Sequence, residues 1–221
     1  MLERIAGHHM SLVTGFEGHV QNAMSFESAG FRLHTRAEWR FAGRERGREA
    51  LREHVRRAAR LGPLLPDGIA VALAVGDDDA ALWHIVPALK SLGAELRGAA
   101  GAERARHLQR LASAYAAALR LLAREDVGLG LDPHAFAEQD GRWVYLGDRL
   151  REPVSAPALI DALLAPGRDS GERDAWSGAL EQALPLALTR EDVAALGLEQ
   201  ALGAATGTVE ERVRTALGRC S

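Results

Sequence analysis

The sequence predicts an α+β protein, with a small antiparallel sheet and one helix in residues 1–89 and a mainly helical part over residues 90–221. Three observations predict it. Between residues 11 and 42 the runs SLVTG, HVQNAMSF, FRLHT and AEWRF show no helical period and are punctuated by Gly15, Gly18 and Gly30, the pattern of short strands and turns. Residues 69–75 (IAVALAV) and 81–87 (ALWHIVP) are apolar strands on either side of the turn sequence Gly76-Asp77-Asp78-Asp79. From Ala102 to Arg124, Leu108, Leu111, Tyr115, Leu119 and Leu122 recur at three- and four-residue steps, which places an apolar stripe on a long helix.

The remaining elements follow in order. Residues 46–61 form a short amphipathic helix with Leu51, Val55, Ala58 and Ala59 on its apolar face, stopped by Gly62-Pro63. Ser91 to Arg97 is a short helix or turn. After the long helix, VGLGLDPHAFAEQDGRWVYLGD (127–148) reads as a loop and a small hairpin about Asp140-Gly141. Beyond residue 151 the pattern is helical. Pro157 opens LIDALLA, Thr189 and Asp192 make a box-like helix start, Thr208 repeats it, and Gly218 closes the last helix. Residues 165–177 are rich in Gly, Pro and Asp and are expected to be a loop.

At 221 residues and 47% hydrophobic the chain can bury a core without disulfides. Cys220, the only cysteine, excludes an internal disulfide or a multi-cysteine metal site and is expected at the surface. The eight histidines are scattered, with no metal-ligand spacing, so no zinc site is expected. Trp39, Trp83 and Trp143 sit in strand-like runs and are expected in the core. The opening residues lack a signal-peptide apolar segment, and no apolar run is long enough to span a bilayer. The expectation is a cytoplasmic protein with no membrane partner.

Charge is unevenly placed. Residues 36–60 carry nine Arg and four Glu, a net of +5, whereas residues 148–200 carry a net of −5. Two readings stay open: solvated helical faces, or patches that attract a partner or pair within an oligomer. Arg48, Arg52, Arg56 and Arg60 are the partner-binding candidates. Nucleic acid is not the expected partner, because the whole chain is at −3 and no aromatic residues interleave the arginines.

The order of these elements resembles a protein kinase domain, reduced and degenerate. Gly15, Gly18 and Val20 are similar to the second half of the family's glycine-rich loop, with Val13 in place of its first glycine. RAEWRF laid over the V-A-x-K strand puts Trp39 at the lysine position with Arg40 beside it, and Glu53 takes the place of the helix glutamate. If Pro133 matches the catalytic-loop proline, Gly128-Leu129-Gly130 replaces His-Arg-Asp and Ala135 replaces the metal-binding asparagine. Asp148 matches the aspartate of Asp-Phe-Gly, without the Phe and Gly.

The resemblance implies a two-lobed protein-kinase-like fold, with a small antiparallel N-lobe (residues 1–89) and a reduced helical C-lobe (residues 90–221). It also implies the loss of lysine, base and asparagine together, so phosphoryl transfer would be abolished and a pseudokinase would remain. Such a protein would act by binding another protein: an active kinase, a phosphatase or a larger complex. No cofactor is required by this reading. Were ATP and Mg²⁺ retained, Gly15, Gly18, Val20, Arg40 and Glu53 would hold the nucleotide and Asp148 the metal. The alternatives are an atypical phosphotransferase using Asp132 and Asp148, or an α+β structural subunit. Lys90, the only lysine, is expected at an exposed position, and an Asp-Pro turn accounts for Asp132 more simply than catalysis.

Overall fold

The computed structural model describes residues 11–12, 24–125, 127, 129–147, 150, 154–168, 171–203 and 207–221. Gly15, Gly18, Val20, Gly128 and Asp148 lie outside the described residues. The chain is α+β and divides into two compact units, Met1–Leu89 and Lys90–Ser221.

Unit 1 is an antiparallel sheet with a helix on one face. Its strands are β1 (Ser11–Leu12), β2 (Met24–Ser28), β3 (Phe31–Thr35), β4 (Arg40–Ala42), β5 (Ala70–Val75) and β6 (Asp79–Pro87). The order is β1-β2-β3-β6-β5, with β4 on the same edge of β6 as β3. The run AEWRF, expected as one strand, is split. In a continuous register Ala81 would face Ala37, but it faces Arg40, because Ala37–Trp39 loop out as a single 3₁₀ turn. Buried Thr35 helps fix the break: its hydroxyl donates to the Leu82 carbonyl at 2.7 Å, across the gap where the ladder lapses.

Helix α1 (Arg44–Ala59) covers the face that carries Leu73, Ala80 and His84. Gly47 allows the approach. A Cβ there would lie 2.7 Å from Ala80 Cβ and 2.9 Å from a Leu73 methyl. The buried face of α1 centres on Gly47 and Ala58 rather than on the expected Leu51, Val55, Ala58 and Ala59. Val55 is 49% exposed, and Ala59 is exposed too. Apolar spacing alone did not show that a glycine marks the contact line.

In unit 2, α2 (Leu92–Gly98) leads to α3 (Gly101–Glu125), whose stripe of Leu108, Leu111, Tyr115, Leu119 and Leu122 is buried as its spacing requires. Then come the hairpin β7 (Phe136–Gln139) and β8 (Arg142–Tyr145), and α4 (Ala156–Leu164), α5 (Arg173–Ala187), α6 (Arg190–Ala195), α7 (Leu198–Leu202) and α8 (Thr208–Gly218). Part of the loop expected over residues 165–177 is the first turns of α5. Trp176 is fully buried there, edge-on to Tyr115 at 5.9 Å, and its indole N–H donates to the Leu163 carbonyl at 2.8 Å. The core tryptophan is therefore Trp176, while Trp39, Trp83 and Trp143 are only half-buried.

Two further expectations are corrected. Cys220 is buried rather than a surface thiol, and burial pushes its pKa up. The last helix starts after Gly207, with Thr208 inside it and no side-chain cap.

The Thr189–Asp192 box is present in both directions, and Asp192 also accepts from Arg124 Nε at 3.1 Å and Nη2 at 3.2 Å, tying α6 to the end of α3. Burial raises the Asp192 pKa, but Arg124 and the Thr189 hydrogen bonds outweigh it and hold the carboxyl below its ordinary range.

Two outcomes follow for stability. Asp192→Ala should cost about 2 kcal/mol in urea unfolding at neutral pH, through the lost cap and charge-assisted bonds. Because the folded-state pKa is depressed, the carboxylate's contribution is full above the unfolded value of ~3.9 and lost as pH falls through the lower folded value. The gap between wild type and variant should therefore narrow below about pH 4. Separately, the β2–β3 turn places Ala29 at φ 51° beside Gly30. Ala29→Asn, which tolerates that region, should stabilise the chain by about 1 kcal/mol, measured the same way.

Candidate functional site

Unit 1 holds two of the places at which the sequence pointed. The first lies under α1. Trp39, looped out between β3 and β4, stacks on His34 at 5.9 Å and meets His54 edge-on at 5.3 Å. His84, fully buried on β6, lies 4.9 Å from His34 and 5.2 Å from His54. The Arg36 guanidinium sits over the Trp39 ring at 5.7 Å. Three histidines that lie 20 and 30 residues apart in sequence thus share one face of the sheet, because His34 and His84 are direct cross-strand partners and α1 lowers His54 onto them. Only the register of the sheet reveals this grouping.

Glu53 does not reach back to a strand cation. Its carboxylate takes Arg57 at 2.8 Å and also pairs with Arg56, both on its own helix. The Arg57 hydrogen bond holds its pKa below the usual range against an opposing burial effect, with the charges of Arg56, Arg57 and Arg60 assisting. Arg40 is exposed on β4, and no ion pair joins it to Glu53. The two are not brought together as a nucleotide-gripping pair would be.

The second place is the outer face of α1. Arg48, Arg52, Arg56 and Arg60 succeed one another at four-residue steps and form one ribbon on the side away from Gly47 and Ala58. Arg48 pairs with Glu45 at 2.6 Å and Arg56 with Glu53, whereas Arg52 and Arg60 make no ion pair among the described residues.

In unit 2 the loop at residues 129–135 has a structural chemistry. Asp132 accepts the His134 backbone N–H at 2.9 Å and opens the 3₁₀ turn Pro133–Ala135, so its carboxylate serves the Asp-Pro turn. The His134 ring lies 3.3 Å from the Ser91 hydroxyl, which also caps α2 by accepting from Ala94. Lys90 is exposed. Among the described residues, no group of three or more His, Cys, Asp or Glu side chains is arranged to hold a metal ion, and no helix is long and apolar enough to cross a membrane.

Five of the seven described acids of residues 148–200 pair with arginines, and Glu191 and Glu199 are exposed. Asp161 pairs with Arg168, Glu172 with Arg104, Asp192 with Arg124, and Asp174 and Glu181 with Arg212. Three of these arginines lie outside that stretch, which is why its local charge sum misleads.

Fold and site together define an α+β protein with a basic helix displayed on a small sheet. No protein-family model matches the chain, and a comparison with curated proteins found no match.

His134 lies against α2, and a Cβ at Gly93 would stand 2.6 Å from its ring. Gly93→Ala should therefore destabilise the chain by roughly 1–3 kcal/mol through overpacking, read as a lower urea midpoint.

Proposed function

We propose that the protein is a kinase-like binding protein, a degenerate two-lobed pseudokinase that acts by engaging another protein instead of transferring phosphate. The order of elements supports this reading. In unit 1, antiparallel strands precede α1 and a β-hairpin that ends at Pro87; in unit 2, the long helix α3 runs into a loop and the β7–β8 hairpin. The observation that carries the reading is Trp39. In the resemblance it stands where a lysine would grip the nucleotide, and its indole is committed to contacts with His34, His54 and His84. The family's helix glutamate, matched by Glu53, is held by Arg56 and Arg57. A phosphate bound there would face an indole instead of an ammonium, and the guanidinium nearest that indole, Arg36, lies over the ring and pairs with Glu38 at 3.6 Å.

The reading is tested by the thermal unfolding midpoint with and without millimolar ATP, in the presence and absence of Mg²⁺. A ligand bound only to the folded state at 100 times its Kd stabilises by about 2.7 kcal/mol, which is readily measured. No shift is expected in either condition. A Mg²⁺-dependent rise that Asp148→Ala abolishes would overturn the proposal in favour of a nucleotide switch or an atypical phosphotransferase using Asp132 and Asp148.

A further inference from the structure

We infer that the outer face of α1 is a docking surface for an acidic, amphipathic segment of another protein. This inference rests on the binding role proposed above and names the chemistry of its partner. Arg44, Arg48, Arg52, Arg56 and Arg60 follow one another at four-residue steps, about 6 Å apart along the helix axis, so the ribbon is about 24 Å long. Intrahelical pairs neutralise Arg48 through Glu45 and Arg56 through Glu53. Arg44, Arg52 and Arg60, which alternate with them, are exposed and make no ion pair among the described residues. Every second step of the ribbon thus presents a guanidinium with no carboxylate within ion-pair distance among the described residues, although Arg60 still acts on the Glu53 charge, and each is suited to a carboxylate brought from outside.

The ribbon also has an apolar seam. Val55 is 49% exposed and Ala59 is exposed, and with half-buried Leu51 they form an i, i+4 row directly beside Arg48, Arg52 and Arg56. An apolar row edged by arginines is the arrangement of an interface core and rim. It fits a segment that presents both apolar side chains and carboxylates, as one face of an acidic amphipathic helix does.

Two other occupants fit less well. A nucleic acid backbone would leave the exposed Val55 row without an apolar partner. A second copy of this chain would have to offer acids from residues 148–200. Of the described acids there, Asp161, Asp174, Glu181, Glu172 and Asp192 pair within their own unit, which leaves Glu191 and Glu199, too few to match three guanidinium groups.

The test is fluorescence anisotropy of labelled probes titrated with the whole protein at ionic strengths of about 0.05 and 0.2 M. The probes are a Glu/Leu amphipathic peptide of about 16 residues, long enough to lie along α1 as a helix, poly-glutamate of equal length, and a short DNA duplex. The amphipathic peptide should bind more tightly than poly-glutamate or duplex. The double variant Arg52→Ala, Arg60→Ala should weaken it about tenfold or more, and Val55→Ser several-fold, with unfolding midpoints unchanged. Absence of peptide binding, equal or tighter binding of duplex or poly-glutamate, or indifference to the substitutions would each overturn the inference. The nucleotide experiment is independent of these readouts, so failure of the docking surface and failure of the pseudokinase reading are separable.

Discussion

Unit 2 depends on two tyrosine hydroxyls that satisfy the backbone of one buried loop. In the segment after α3, Leu129 is fully buried and Leu131 nearly so, and two of the backbone groups beside them are met by side chains. Tyr115, buried on α3, donates to the Leu131 carbonyl at 2.9 Å, and the Tyr145 hydroxyl on β8 accepts the Gly130 N–H at 3.3 Å. Burial, with the nearby Asp132 charge as a smaller cause, holds the Tyr115 pKa well above its ordinary value, so the phenol remains a donor at neutral pH. The same rings are the packing hub. Phe136 lies between Tyr115 at 5.5 Å and Tyr145 at 5.3 Å, and Trp176 closes on Tyr115 from α5. Hydrogen bonding and aromatic packing thus share the same few residues, and moving either tyrosine would disturb helix, loop and hairpin together.

Around this hub, arginine does the work of joining elements. Arg110 takes Glu95 of α2 at 2.5 Å and Glu138 of β7 at 2.7 Å while its guanidinium covers Trp143, so one α3 side chain holds a helix and a hairpin. Arg104 donates to the Leu96 carbonyl and pairs with Glu172. A planar fork with several fixed donors suits such multiple contacts, which a lysine ammonium meets less well. The Arg-rich composition therefore has a structural use in unit 2, and the ribbon on α1 stands apart because its alternate arginines reach no such acceptor.

What was legible in the sequence was local. The α3 stripe, the Asp140-Gly141 turn with φ of 51° and 78°, and the Thr189–Asp192 box each depend on residues within a turn or two of one another. What was not legible depends on pairing between distant segments. His34, His54 and His84 become neighbours only through the β3–β6 register and the seating of α1, which no spacing along the chain encodes. The burial of Cys220, despite its place next to the C-terminus, and the helical start at Arg173, despite a Gly/Pro/Asp-rich composition, follow from packing within unit 2. At the candidate site the arginine ribbon was visible as a four-residue repeat. Its apolar seam was mistaken for the buried face, because Val55 and Ala59 are as apolar as the residues that do face the sheet.

That mistake carries the argument about function one step further. On α1, the inner face needs Gly47, where an added Cβ would come within 2.7 Å of Ala80 Cβ, and it needs His54 and Ala58 for packing. The outer face contributes mostly exposed side chains, with Arg48 and Leu51 half-buried, and substitutions at exposed positions usually change stability by less than about 0.5 kcal/mol. Folding therefore imposes little on the ribbon. Its three guanidinium groups without an ion-pair partner are left to water in the isolated chain, and a partner's carboxylates could engage them. A helix packed tightly on one side and uncompensated on the other separates what holds the unit together from what it offers to a partner.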